Sequence, residues 1–137
     1  MRKIRIAQIG TSLYSHGEGI FKTIGRLSDV FEIVGYALPE KEREKFPERM
    51  KAFGNYPELT VEQILNDPTI DAVAVETEEI YLLKYAKMVA QAGKHITWKS
   101  PAAKAWKILK RWWPWSRKSI WSSALAICIA TTPWWWT

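Results

Sequence analysis

Gly10-Thr11-Ser12-Leu13-Tyr14-Ser15-His16-Gly17 joins a β-branched run to an amphipathic one, a place where backbone amides and a helix N-terminus can meet an anionic phosphate. Small residues let a phosphate approach the chain closely, which is why Gly-x-Gly-x-x-Gly recurs in loops that hold a dinucleotide's pyrophosphate. Only Gly10 keeps that register; Ser12 and Ser15 stand at the second and third glycine positions, with Gly17 and Gly19 just downstream. An ordinary strand-to-helix turn is the plainer alternative. In folds of this kind an acid at the end of the second strand often holds the adenosine ribose. The stretch Gly35-Tyr36-Ala37-Leu38-Pro39-Glu40 has no acid at the usual place, so either Glu40 substitutes or the ribose is recognised differently. Lys41 and Arg43 could meet a 2′-phosphate, although a solvated helix face accounts for Glu40 to Arg49 more simply. Glu76, Glu78 and Glu79 follow the third strand, either beside a ligand or as helix N-terminal acids favoured by the dipole. His16 and His95 have no Cys or His partners at metal-ligand spacing, so no metal is expected.

These residues need a framework of alternating strands and helices. Ile4 to Ile9 reads as a buried parallel strand stopped by Gly10. Ile20, Phe21, Ile24 and Leu27 form one apolar stripe on a helix over Glu18 to Leu27. Phe31 to Leu38 is a second strand ended by Pro39, and Glu40 to Phe53 is helix-forming but interrupted at Pro47. Thr60-Val61-Glu62-Gln63 is a capping box, so a short helix runs from Thr60 through Leu65, and Asn66-Asp67-Pro68 turns the chain. Asp71 to Val75 is a third strand, Glu78 to Ala92 a helix closed by Gly93, and Lys94-His95-Ile96 opens another strand that Thr97-Trp98 can complete. This pattern predicts an α/β, doubly wound parallel sheet, Rossmann-like, with its ligand at the carboxyl ends of the strands.

Composition changes abruptly after this framework. The chain has 137 residues and a net charge of +6, but all 14 acidic residues lie at or before Glu79 and all nine Trp at or after Trp98. Residues 1–96 carry a net −1 and residues 97–137 a net +7. The overall basicity, which usually directs attention to nucleic acid or anionic membranes, therefore belongs to the tail alone. A single Cys, Cys128, permits no intramolecular disulfide. The opening residues lack the long apolar run of a secretory signal, so a cytoplasmic location is expected.

Ile6-Ala7-Gln8-Ile9-Gly10-Thr11, Ile33-Val34-Gly35-Tyr36-Ala37, Asp71-Ala72-Val73-Ala74-Val75 and Ala92-Gly93-Lys94-His95-Ile96 together resemble successive landmarks of the Gfo/Idh/MocA family of nicotinamide-dependent oxidoreductases, which act on sugars, inositols and related polyols. The resemblance covers residues 1 to about 96. It implies that NAD or NADP contacts Gly10, Thr11, Ser12, Leu13, Gly17, Leu38, Glu76 and Thr77. The chain departs from the family at Ser12, at Leu38 where an Asp is common, and at Glu76-Thr77-Glu78 where Thr-Pro is common. Family members continue through Glu-Lys-Pro, whose Lys serves catalysis, into a separate substrate domain.

At the corresponding place this chain reads Thr97-Trp98-Lys99-Ser100-Pro101-Ala102-Ala103-Lys104. The codons ATC-CAC-ATG-GAA-AAG-CCC-GGC-GGC-AAA-G encode Ile followed by His-Met-Glu-Lys-Pro-Gly-Gly-Lys. Losing one C after Ile96 turns them into this chain's sequence, residue for residue. Residues 97–137 are therefore expected to be a frameshift product, with 102–137 a Trp-rich, basic tail following a dinucleotide-binding domain over 1–101, and the family's substrate domain and catalysis lost. Ser100 stands at the catalytic Lys position and Lys99 at that of Glu. A helix from Ala102 to Trp113 is possible in this tail. The competing class is a protein that uses the tail to bind membranes or single-stranded nucleic acid, since Ser119 to Thr137 is uncharged, seven basic residues precede it, and Trp interleaves with the basic residues. The frameshift explains the same residues without a membrane or nucleic-acid partner. It leaves a dinucleotide as the expected ligand, a sugar or polyol substrate only for the full-length family, and the oligomeric state open.

Overall fold

The computed structural model describes residues 2–13 and 15–98, and the chain divides into two units between Trp98 and Lys99. The helix expected over Ala102 to Trp113 lies outside the described residues.

The first unit alternates strand and helix in the order β1 (Ile4–Ile9), α1 (Gly17–Arg26), β2 (Phe31–Ala37), α2 (Glu42–Lys45), a 3-10 segment (Pro47–Phe53), α3 (Val61–Asn66), β3 (Ala72–Val75), α4 (Glu79–Gln91) and β4 (His95–Trp98). All strand pairs are parallel, in the order β2-β1-β3-β4. A further isolated parallel bridge joins Tyr36 to Glu58 outside β2. The Tyr36 amide donates to Pro57 O at 3.1 Å and the Leu59 amide to Tyr36 O at 2.7 Å. Counting this short segment as a strand gives the Rossmann order, with the chain reversing direction of growth between β1 and β3.

Val34 is the extra residue of a bulge, because Ile6 pairs with Ile33 while the next residue, Ala7, pairs with Gly35. Gly35 is required there: a Cβ would stand 2.6 Å from Pro57 O. The bulge also sets which side chains of β2 face which layer. Tyr36 joins Phe21 and Phe53 under α1, its ring stacked on Phe53 at 3.9 Å. Ala37 joins Ala7, Ile9, Ile64, Val73, Val75 and Val89 on the other face, beneath α3 and α4. Apolar residues on both faces of β1 and β3 are what a sheet covered on both sides demands.

Local signals place most boundaries. The Thr60 hydroxyl accepts the Gln63 amide at 3.1 Å while Gln63 Oε1 accepts the Thr60 amide at 2.9 Å, closing the expected capping box. Gly93 leaves α4 at φ +73°. Between Glu40 and Phe53 the single helix gives way to α2 and the 3-10 segment, since Pro47 has no amide to continue the ladder. Lys94 is buried, and its Nζ donates to the carbonyls of Asp67 at 2.6 Å and Ile70 at 3.0 Å, tying the α3–β3 connection to the start of β4.

Candidate functional site

The carboxyl ends of β1 and β3 meet at Gly10. Its φ of +88° is open to glycine, and a Cβ would lie 2.6 to 2.7 Å from Thr77 N, Cα and Cγ2. The turn is fastened by its backbone: the Gly10 amide donates to Ala37 O at 2.8 Å, the Ser12 amide to Glu76 O at 3.0 Å, and the Glu76 amide to Ile9 O at 2.7 Å. Gln8, buried beneath it, donates from Nε2 to Gly10 O at 3.0 Å and Gly17 O at 3.2 Å, holding both ends of the turn. Ser15 Oγ donates to Ser12 O at 2.9 Å and accepts the Gly17 amide at 3.2 Å, so the serine at the third glycine position braces the entry to α1. Gly17 in turn packs where a Cβ would meet Gln8 Nε2 and Glu76 Cβ at 3.0 Å.

The residues singled out from sequence therefore gather at one sheet edge. Gly10, Thr11, Ser12, Gly17, Glu76 and Thr77 are buried in or against the turn, and Leu13 projects from it, 46% exposed. Leu38 lies at the end of β2, half-buried on the aromatic layer. Glu40 faces elsewhere: its carboxylate accepts Lys84 Nζ and the Tyr85 hydroxyl, both at 2.7 Å, and the Lys84 hydrogen bond and then that of Tyr85 hold its pKa below the usual value. Arg43 pairs with Glu58. Among the described residues, neither a ribose-binding carboxylate nor a free guanidinium is thus presented at the end of β2. Beside it lies a cavity of about 440 Å³ whose lining includes Leu38, Pro39, Leu59, Lys84, Tyr85 and Met88. Among the described residues no group of His, Cys, Asp or Glu has metal-binding geometry, and no helix is long and apolar enough to cross a membrane.

Glu42 departs from the solvated helix face read from the sequence. Consecutive left-handed residues, Glu40 at φ +58° and Lys41 at φ +60°, turn the chain back after Pro39, and Glu42 enters the interior with no exposed surface. Its Oε2 accepts the Thr11 amide at 2.6 Å. Burial pushes its pKa up to about 7, opposed by the Thr11 and Glu78 amides; the Glu78 carboxylate adds to the rise and Lys45 opposes it. No local sequence signal marks this residue, since a Glu among charged neighbours ordinarily faces water.

The raised pKa has a consequence for stability. The folded state keeps its proton at a pH where the unfolded chain has lost it, so the stability present below the ordinary value of 4.5 is lost as pH rises to about 7. The loss is at most about 3 kcal/mol, and it should disappear in Glu42→Gln. Urea unfolding of both proteins at pH 5 and pH 8 is expected to show the variant gaining about 2–3 kcal/mol relative to the parent at the higher pH. An unchanged difference would refute the buried, proton-holding carboxyl.

No family profile and no curated protein matches the chain. Solved structures do. They include yvaA from Bacillus subtilis, provisionally an oxidoreductase, at 24% identity and a TM-score of 0.62, covering 80% of this chain and 31% of that one. A provisionally assigned myo-inositol dehydrogenase from Sinorhizobium meliloti aligns at 20% identity and a TM-score of 0.62, over 80% of this chain and 32% of that one. Biliverdin reductase from Synechocystis sp. PCC 6803, solved with biliverdin and NADP+, aligns at 23% identity and a TM-score of 0.58, over 79% and 34%. The chain thus has the Rossmann-like fold of these enzymes and spans about a third of their length.

Proposed function

We propose that residues 1–98 are the dinucleotide-binding part of a Gfo/Idh/MocA-type oxidoreductase of sugars or polyols, with NAD or NADP as cofactor. One observation carries the reading: the turn after β1 already holds an oxygen acceptor, the Glu42 carboxyl, on the Thr11 amide at 2.6 Å. A pyrophosphate offers the same chemistry, an oxygen acceptor for amides at a strand end, close to a glycine with no side chain in the way. Gly10, Thr11, Ser12, Leu13 and Gly17 would line the pyrophosphate, with Glu76 and Thr77 bordering it from β3. Leu38 would border the adenosine, whose base has room in the cavity beside Tyr85 and Met88. A bound dinucleotide supplies hydride transfer at its nicotinamide; this chain's residues bind and orient it. We place the protein in the cytoplasm, as the resemblance to this family implies.

The second element of the proposal concerns residues 97–137, which we read as a shifted frame and not as a membrane or nucleic-acid module. The division of the chain between Trp98 and Lys99 falls two residues past the end of the resemblance. Ser100 at the family's Lys position then leaves this chain a binder without turnover.

Calorimetric titration of the 137-residue chain with NAD+, NADH, NADP+ and NADPH at about pH 6 tests the first element. At least one is expected to bind, and NADH and NADPH should differ by less than about tenfold, because no charge-assisted bond of about 1.5–3 kcal/mol is in place for either ribose. Absence of binding by all four refutes the assignment.

A further inference from the structure

The Glu42 carboxyl occupies the amide that the proposed function assigns to a phosphate, and it is held there by a specific piece of backbone. Two left-handed non-glycine residues in succession, Glu40 and Lys41, store backbone strain. Glu40 is anchored in that conformation by Lys84 and Tyr85 of α4, and the short helix it introduces points Glu42 into the turn. The carboxyl contacts the Thr11 amide from one side, while the Glu78 amide faces it from the start of α4 without closing a normal hydrogen bond. Oε1 has no hydrogen-bond partner of normal geometry among the described residues. The charged and titratable groups around it are the Glu78 carboxylate from the β3–α4 connection, Lys45 on its own helix, bound to Glu78 at 2.6 Å, and Tyr81 of α4 beneath Lys45. From the described residues of the turn, the Thr11 amide supplies the hydrogen bond to it.

We propose that Glu42 is a built-in competitor for the phosphate site, so that the dinucleotide binds only when the Glu42 carboxyl is neutral or has been swung away from Thr11. This rests on the dinucleotide reading and adds a regulation of that same site. A charged carboxylate and a pyrophosphate cannot share one amide in a buried turn, and the mutual repulsion of the two anions is large where water is excluded. A neutral carboxyl has no such quarrel with a phosphate and can donate a hydrogen bond to it. Loss of the proton therefore converts a tolerant site into a blocked one.

The test is calorimetric titration of the full chain and of its Glu42→Gln variant with NADH and NADPH across this range. With a group that titrates near 7, the competent fraction falls so that wild-type affinity should weaken about tenfold between pH 6 and pH 8, whereas the variant should bind equally at both. A Glu42→Gln chain that keeps the wild-type slope overturns the inference and leaves the dinucleotide reading standing. Failure of both proteins to bind at pH 6 overturns both. Should the variant not fold, the wild type decides: the Thr11 amide nitrogen resonance is expected to titrate together with the Glu42 side-chain carbonyl carbon, and a Thr11 resonance that stays flat while Glu42 titrates overturns the inference.

Discussion

Gly10→Ala is expected to lower the stability of the folded unit by about 3–5 kcal/mol and to abolish dinucleotide binding. Two costs combine. A side chain at φ +88° is left-handed, which disfavours an L-residue by about 1–2 kcal/mol. The new methyl must also share space with the Thr77 amide nitrogen and Cα at 2.6 and 2.7 Å, and these are backbone atoms that no rotamer change can move. Relief would come only by pushing the β3–α4 connection outward, which would strain the Ser12-to-Glu76 and Glu76-to-Ile9 hydrogen bonds. For a domain whose net stability is about 5–15 kcal/mol the loss is severe. Gly19→Ala supplies the contrast: Gly19 lies inside α1 with no atom within 4 Å of a built Cβ, so the same chemical change should stabilise by about 0.5–1 kcal/mol. Urea midpoints of the two variants should move in opposite directions. A Gly10→Ala protein within about 1 kcal/mol of the parent would show that the turn is not pinned between β1 and β3.

The contrast between these glycines also shows what kind of information a sequence carries. Elements set by local chemistry were legible: β1 from its β-branched run, α3 from Thr60 and Gln63, the end of α4 from Gly93, and the break at Pro47 from a missing amide. The gathering of Gly10, Thr11, Ser12 and Glu76 was legible too, because parallel strands joined by right-handed crossovers put their carboxyl ends together. Three features were not. The pairing of Tyr36 with Glu58 involves too few residues to have a period, and it depends on Gly35 admitting Pro57 O. The role of Lys94 in binding the Asp67 and Ile70 carbonyls is a tertiary fact about a residue type that ordinarily faces water. The burial of Glu42 follows from left-handed Glu40 and Lys41, and neither residue type announces a positive φ. Each of these depends on what lies across the fold, which no window along the chain contains.

On the proposed reading of residues 97–137, restoring one base after the Ile96 codon is expected to yield an active oxidoreductase, the largest functional change open to this chain. In the restored frame β4 reads His-Ile-His-Met, and its backbone pairing survives, because Ala72 to Val75 pair with His95 to Trp98 through backbone groups that do not depend on side-chain type. Met at the position of Trp98, which packs against the core beneath α4, is a flexible apolar filler that such a site accepts. The frame then supplies Glu at the position of Lys99 and Lys at that of Ser100, which follow β4 in the chain. A lysine can hold or deliver a proton in such chemistry, which a serine hydroxyl does far less well at neutral pH. The restored open frame should extend to roughly the length of the solved structures the chain resembles, of which it now spans about a third. Expressed and given sugars or polyols with NAD+ or NADP+, it should turn over at about 1–1,000 per second. Ser100→Lys alone, in the present frame, should leave turnover undetectable, because on the proposed frameshift the residues around it stay out of the family's frame and position no substrate. A stop codon soon after the reinserted base would sink the frameshift and return residues 97–137 to the status of selected sequence, where the run of Trp would need a physical reason of its own.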